Sequence, residues 1–353
     1  MDINELEKPL TEIYQKINEL KSSVLLPSLS AAKKKDIKQE IKQLEQSFEE
    51  TAKQVYSNLT EYQITQLSRH PNRPNTNEII SRISEDFIEL HGDRNFMDDA
   101  SIVAGIGLFK GRRVAFVGHQ KGRNIKENMK RNFGMPRPEG YRKALRIMSL
   151  AERFGLPIIT FIDTPGAYPG MDAEERGQCE AIAKNIMIMG RLTVPIICIV
   201  IGEGGSGGAL AISVGNRILM LEYSTYSVIS PEGCASILWK DGSKADKAAQ
   251  LLGLTSKTAL KNKIIDDIIK EQPGAAHWHP KETIDAISES IEKHLNELAQ
   301  LSKEELKADR IKKFYNIGFY KEIKDSQTSH YNDTPMIENW EESWDDVVNS
   351  FGI

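Results

Sequence analysis

The chain has 353 residues, 40% hydrophobic and 27% charged, a folded globular composition that excludes collagenous, low-complexity and mainly disordered chains. That length accommodates roughly two domains of ~150 residues, or one large domain with appendages. With 46 basic against 50 acidic residues the net charge is −4, so the whole molecule is no electrostatic trap for nucleic acid or anionic lipid, and any basic site must be local.

The acidic, polar opening MDINELEKPL lacks the plan of a signal peptide, and a cytoplasmic location is expected. A short helical stretch near residues 3 to 21 is followed by Pro27, a turn signal. From Asp36 to Leu59 the apolar residues Ile37, Ile41, Leu44, Phe48, Ala52, Val55 and Leu59 recur at steps of three or four, which predicts an amphipathic helix. Residues 1–65 therefore read as a helical hairpin, either packed on its own domain or presented to a partner. After the turn-rich HPNRPNT, strand candidates appear at Ser101 to Phe109, Arg113 to Gly118, Pro157 to Ile162, Val194 to Ile201 and Ile218 to Glu222. Helical stretches at Gly140 to Phe154 and Asp172 to Leu192 lie between them, so residues 66–300 read as an α/β domain whose strands are buried on both faces. The longest apolar run, Val194 to Gly202, is too short to span a bilayer. Residues 281 to 315 read as polar helix, and 301–353 as a C-terminal helix with an acidic tail carrying two tryptophans. Cys179, Cys198 and Cys234 form no CxxC pair, so any zinc that the activity needs is expected from another chain.

The densest signal is VPIICIVIGEGGSGGALAI, residues 194 to 212, and three mechanisms fit it. Gly202 to Gly207 satisfy GxGxxG with Glu222 twenty residues on, as in a dinucleotide site, although the helix that follows is short. Gly204-Gly205-Ser206-Gly207-Gly208 satisfies GxSxG, with Asp266 and His277 or His279 following in hydrolase order. The third reading ignores side chains: the N–H groups of Gly207 and Gly208 form a nest that stabilises an oxyanion. A second strand-to-turn segment, ITFIDTPGAYPG at 159 to 170, offers Gly166 and Ala167 as a further donor arm, while Asp163, Tyr168 and Glu203 read as turn-capping or packing residues. Residues 121 to 146 carry nine Lys or Arg against two Glu, a local +7 that leaves −11 for the rest. This arm suits a polyanionic small ligand such as coenzyme A; RNA competes, but only Phe133 and Tyr141 are available to stack. Arg123, near a strand end, is the leading residue for a carboxylate or phosphate. His119 reads equally as a structural histidine or a proton carrier, and His277 and His279, with no Cys or carboxylate seen beside them, are not read as metal ligands.

Five strings carry a family resemblance: GHQKGR (118 to 123), NFGMPRPEGYRKALR (132 to 146), ITFIDTPGAYPG (159 to 170), GEGGSGGALAI (202 to 212) and YSTYSVISPEGCASILWK (223 to 240). Over roughly Leu59 to Trp278 the chain resembles the α subunits of bacterial acetyl-coenzyme A carboxylase carboxyltransferases. The resemblance implies a crotonase-like spiral of β-β-α units, with an N-terminal helical hairpin and C-terminal helices. It implies transfer of a carboxyl group from carboxybiotin to acetyl-CoA, giving malonyl-CoA for fatty acid synthesis. Biotin would arrive on a separate biotin carboxyl carrier protein, ATP would be used by a separate biotin carboxylase, and a zinc-bearing β subunit would complete an α2β2 assembly. The implied catalytic groups are the amides of Gly207, Gly208, Gly166 and Ala167, with Arg123, Lys121, Gly204 and Gly205 toward substrate and no metal in this chain. Members commonly stop soon after a basic helix like IKKFYNIGF, whereas this chain continues.

Overall fold

A computed structural model describes residues 3–25 and 29–318; the turn expected at Pro27 and the acidic tail lie outside them. Chain N-terminal helices α1 (Ile3–Leu6), α2 (Lys8–Val24) and α3 (Ala31–Tyr56) include the expected hairpin pair. Ser30 caps α3 by accepting the Lys33 N–H, and the predicted stripe packs Ile41, Phe48 and Ala52 against Leu10 and Ile17 of α2. Lys16–Glu40 and Lys21–Glu45 ion pairs flank that seam. Two short helices, α4 (Glu61–Ser68) and α5 (Thr76–Ile83), each open with a capping box, Thr60 with Gln63 and Asn75 with Glu78.

An eight-stranded sheet follows: β1 (Glu85–Glu89), β2 (Ile102–Phe109), β3 (Arg112–His119), β4 (Ile158–Thr164), β5 (Ile196–Gly205), β6 (Arg217–Leu221), β7 (Thr225–Ser227) and β8 (Asp267–Ile269). Its order is β1-β2-β3-β4-β5-β6-β8, with β7 pairing β5. The first three strands pair antiparallel and the rest parallel. Side chains of β5 alternate between two cores: Ile196, Cys198 and Val200 enter one, Ile197, Ile199 and Ile201 the other. The remaining helices are α6 (Ile125–Lys130), α7 (Pro138–Phe154), α8 (Met171–Glu175), α9 (Gln178–Arg191), α10 (Ser206–Leu210), α11 (Pro231–Trp239), α12 (Ala245–Leu252), α13 (Ser256–Lys261), α14 (Pro280–Leu298) and α15 (Lys303–Tyr315). Ala144, Ile147, Met148 and Ala151 of α7 and Met189 of α9 cover one face; Ile284, Ile287, Ile291 and Leu295 of α14, with Ile79 and Ile80 of α5, cover the other. Among the described residues no helix is long and apolar enough to cross a membrane.

The five expected strands form, and three more appear that patterning did not show. β1 is an edge strand with no buried residue, and β7 and β8 have three residues each, so none carries a readable alternation. β5 runs four residues past its expected end because Glu203, Gly204 and Gly205 pair with Thr225, Tyr226 and Ser227. The helix expected over 172 to 192 breaks at Gly177, whose φ of +83° suits glycine. The polar helix expected over 281 to 315 is two helices, α15 restarting on a capping box of Ser302 with Glu305. The described residues form one compact unit, and the changes of character near residues 65 and 300 fall inside it.

Arg310 of α15 is fully buried and donates to the carbonyls of Met189, Leu192 and Val194 and to Asn216 Oδ1, at 2.6 to 2.9 Å. It closes the end of α9 and the entry to β5, where carbonyls at a helix end lack a partner within the helix. Arg310→Leu is expected to lower unfolding free energy by about 3 kcal/mol or more, since several buried acceptors are left unpaired. The urea midpoint at unchanged m-value measures it.

Candidate functional site

The carboxyl ends of β3, β4 and β5 converge, the usual place for a ligand in a parallel sheet. Where β5 enters α10, backbone meets backbone. A Cβ on Gly205 would overlap the Pro165 carbonyl and lie 2.9 Å from the Thr164 oxygen; one on Gly208 would lie 2.5 Å from the Ala167 nitrogen and 2.9 Å from the Tyr141 hydroxyl. Both positions therefore require glycine. Between them Ser206 adopts φ +54°, a left-handed turn that costs a non-glycine residue of order 1–2 kcal/mol and tips the chain abruptly into α10.

No side chain caps α10, so its first-turn amides have no partner within the helix. A Cβ on Gly207 would meet only Ile182 Cγ2, at 3.8 Å, so space is open there. Of the second expected arm, only half fits the role. The Gly166 N–H donates to Thr164 Oγ1 at 3.1 Å, and the same hydroxyl donates back to the Gly166 carbonyl at 2.7 Å. This corrects the expectation of a Gly166 donor, since its amide is already satisfied. The Ala167 amide remains, packed against Gly208. Gly204 and Gly205 are paired strand residues along a shallow cleft with Arg69, Thr65 and Ser227, rather than a loop that wraps a ligand.

Beneath the turn lies a charge cluster that the sequence did not reveal. Lys121 Nζ sits 2.8 Å from Asp163 Oδ1 and 3.0 Å from Glu203 Oε2. Arg69 Nε reaches Glu203 Oε1 at 2.6 Å, and its Nη1 reaches Glu232 Oε1 at 2.8 Å. Burial by itself pushes the Glu203 carboxyl up, but the charges of Lys121 and Arg69 overcome it and hold the group below its ordinary value. Burial likewise depresses Lys121, and its two carboxylates outweigh that to hold it well above its ordinary value. Lys121, expected toward substrate, is the counter-ion of Asp163 and Glu203 and lines the polar cleft beside them. Gly202 has no side chain because Asp163 Oδ1 occupies the place, 2.5 Å from a Cβ there. His119 is buried; desolvation drops it to about 3, and its Nδ1 accepts the Asp163 N–H at 3.4 Å, so it is a neutral structural ring.

The basic arm is largely neutralised by the fold. Arg123 pairs with Glu78 and the Pro71 carbonyl, Arg137 with Asp172, Arg142 with Asp93 and Glu139, and buried Lys143 with Asp98 and the Asp99 carbonyl. Arg131 and Arg146 donate to backbone carbonyls. Among the described residues, Lys126 and Lys130 on exposed α6 have no such partner. The expected island of +7 is therefore not a free polyanion surface. Arg123 and Lys121 do share a polar cleft with Arg69, His70, Asn128 and Asp163.

Two competing mechanisms lose their geometry. Asp266 hydrogen-bonds Ile218, which pairs with Cys198 near the start of β5, so it lies roughly 25 Å from Ser206 along a strand rising ~3.3 Å per residue. No Ser-Asp-His relay forms. Gly202 and Gly204 continue β5 instead of turning, only Gly207 lies in the helix that follows, and Glu222 is engaged by Lys270. His277, expected to lack a carboxylate, lies 3.2 Å from Glu7, with the His70 ring tilted against it, centroids 4.0 Å apart. Glu7 is 270 positions away in the sequence and invisible to any local motif.

Because the Glu203 carboxyl is depressed, its contribution to stability is present above the ordinary value of 4.5 and is lost as pH falls through the folded value. Lys121→Met removes one of the two cations that hold the Glu203 carboxyl down, so the burial that opposes its charged form is then less compensated. The variant is expected to lose roughly 3 kcal/mol at pH 7, and its loss of stability on acidification is expected to begin at higher pH. Urea midpoints between pH 4 and 8 measure both.

The family described as acetyl co-enzyme A carboxylase carboxyltransferase-like matches residues 3–318. Acetyl-coenzyme A carboxylase carboxyl transferase subunit alpha of Methylococcus capsulatus is 51% identical over 318 residues, covering 90% of this chain and 97% of that protein. The same subunit of Mannheimia succiniciproducens is 53% identical over 315 residues, covering 89% and 97%. Among solved structures, the transcarboxylase 12S core superposes with a TM-score of 0.51 at 19% identity, covering 64% of this chain and 42% of that one. The Pseudomonas aeruginosa geranyl-CoA carboxylase β subunit gives 0.52 at 17%, covering 70% and 46%. This chain thus spans less than half the length of either, and the likeness is one of fold, the crotonase-like arrangement that the sequence resemblance implied. Conclusively at the level of family, the chain is a member of the α subunits of acetyl-coenzyme A carboxylase carboxyltransferases.

Proposed function

We propose that the turn at Gly205–Gly208, with the Ala167 amide, is the oxyanion site at which this carboxyltransferase subunit receives carboxybiotin from a separate carrier protein and directs the carboxyl group to acetyl-CoA. When bound, carboxybiotin would supply the carboxyl group, and the amides of Gly207, Gly208 and Ala167 would hold the negative charge that develops as it leaves. The observation that carries the reading is the open space over Gly207 at an uncapped helix start, next to the Ala167 backbone. Preorganised amides stabilise developing charge without a proton transfer, and removing one such donor typically costs ~100-fold to 1,000-fold in rate.

What the side chains do supports the same conclusion. Lys121, Asp163, Glu203, Arg69 and Glu232 are tied to one another in ion pairs, and His119 is a neutral ring, so none is poised as base or nucleophile. They hold the ends of β3, β4 and β5 in register beneath the amides. Ser206, exposed at the turn, acts through its backbone conformation. For coenzyme A, Lys126 and Lys130 and exposed Ile125 and Met129 on α6 present charge and apolar surface near Arg123.

The chain is proposed to need a companion β subunit bearing zinc and its own enolate site, in an α2β2 assembly, with biotin carboxylase using ATP to load the carrier. Exposed Val228, Ile237, Leu238 and Leu251, 60 to 75% accessible around α11 and α12, supply apolar surface for such a partner. Location in the cytoplasm belongs to the same proposal.

The isolated chain is expected to be inactive, and adding the β subunit to restore biotin-dependent malonyl-CoA decarboxylation. Gly207→Val, which fills the open space, is expected to reduce turnover at least ~100-fold while co-purification with the β subunit persists. Ser206→Ala is expected to retain turnover. Full activity of Gly207→Val, or loss in Ser206→Ala with labelling of Ser206 by a fluorophosphonate, overturns the proposal.

A further inference from the structure

Away from the cleft turn, three metal-ligating side chains from distant parts of the chain meet where the N-terminal helices dock. Glu7 precedes α2, His70 follows α4, and His277 lies in the loop between β8 and α14. One ligand atom from each falls within 4.8 Å of the other two. His277 Nε2 is 3.2 Å from Glu7 Oε1, close to the roughly 3.4 Å edge of a tetrahedron with ~2.0–2.1 Å metal–ligand bonds. The side chains of His277 and Glu7 are 3% and 6% exposed, and neither His277 ring nitrogen makes a well-directed hydrogen bond within the described residues. A buried imidazole with no well-directed hydrogen bond at either nitrogen, beside a carboxylate and a second imidazole, is short of the partners that buried polar groups ordinarily have.

We propose that Glu7, His70 and His277 bind one divalent transition-metal ion of the Zn2+ type, fastening the N-terminal helices to the α/β body. Two imidazoles and a carboxylate are an established donor set for zinc, and a water completes four-coordination. Tyr56 donates its hydroxyl to Glu7, the outer-shell hydrogen bond that orients a ligating carboxylate. The present contact of His70 is one hydrogen bond from the Asn72 N–H to Nδ1, at 3.2 Å. Ligation through Nδ1 replaces that bond, and ligation through Nε2 moves the ring proton to Nδ1 and gives it up. The nearby cations are already compensated, Arg73 by Glu271 and Arg123 by Glu78. His70 also borders the polar cleft of Arg69 and Arg123, which gives the ion a route in.

The test uses the full-length chain alone, stripped with chelator and titrated with Zn2+. One ion per chain is expected, with a rise in melting temperature that chelator reverses. His277→Ala and half-exposed His70→Gln are expected to bind at least ~10-fold more weakly, the loss that even an outer-shell change causes, while His279→Ala binds as wild type. Co2+ is expected to give visible absorption of a four- or five-coordinate N/O site without a near-ultraviolet thiolate band, which separates this site from Cys179 or Cys234. Fewer than one ion per chain, unchanged affinity in folded His70→Gln, or a thiolate band each overturns the proposal. Circular dichroism identifies a variant that fails to fold, and His70→Gln then decides.

Discussion

Two chain reversals touch with no side chain between them, and the rest of the candidate site depends on that contact. Gly205 lies on the Pro165 carbonyl and Gly208 on the Ala167 nitrogen. Any Cβ at either position would push β5 and α10 away from the turn after β4. Ser206 accepts a left-handed backbone to make the approach. The reward is positional: amides from two segments far apart in sequence are brought beside one another and held there by the sheet.

Electrostatics keeps the floor of that contact rigid. Lys121, Asp163, Glu203, Arg69 and Glu232 link the ends of three strands to α4 and α11. Such a cluster is weak evidence for stability by itself, because desolvation cancels much of the attraction, yet losing one member strands the others. The bidentate pair of Arg73 with Glu271 and the carbonyl clamp of Arg310 follow the same rule at the sheet's periphery. The charges are spent on architecture, leaving the main chain as the reactive surface of the proposed site.

Much of this was legible along the chain. The α3 stripe, the buried run into β5 and the glycine cluster are local patterns, and each became the element its period or residue type demanded. Gly177, Ser302 and the short edge strands were missed for a local reason as well: a single left-handed residue, a capping box, or three half-exposed residues carry too little periodicity. The basic arm misled because charge was counted in one segment while its partners, Glu78, Asp93, Asp98 and Asp172, stand outside it.

The amino-acid order by itself determined the α/β class, the family, and the place where glycine replaces side chains, since those depend on neighbours within a few residues. Only the tertiary structure decided that the Gly166 amide is occupied by Thr164, that Lys121 serves Asp163 and Glu203, and that Glu7 meets His70 and His277. Hydrogen bonds and ion pairs act over a few ångströms in space, and a folded chain brings within that range residues that its sequence holds hundreds of positions apart.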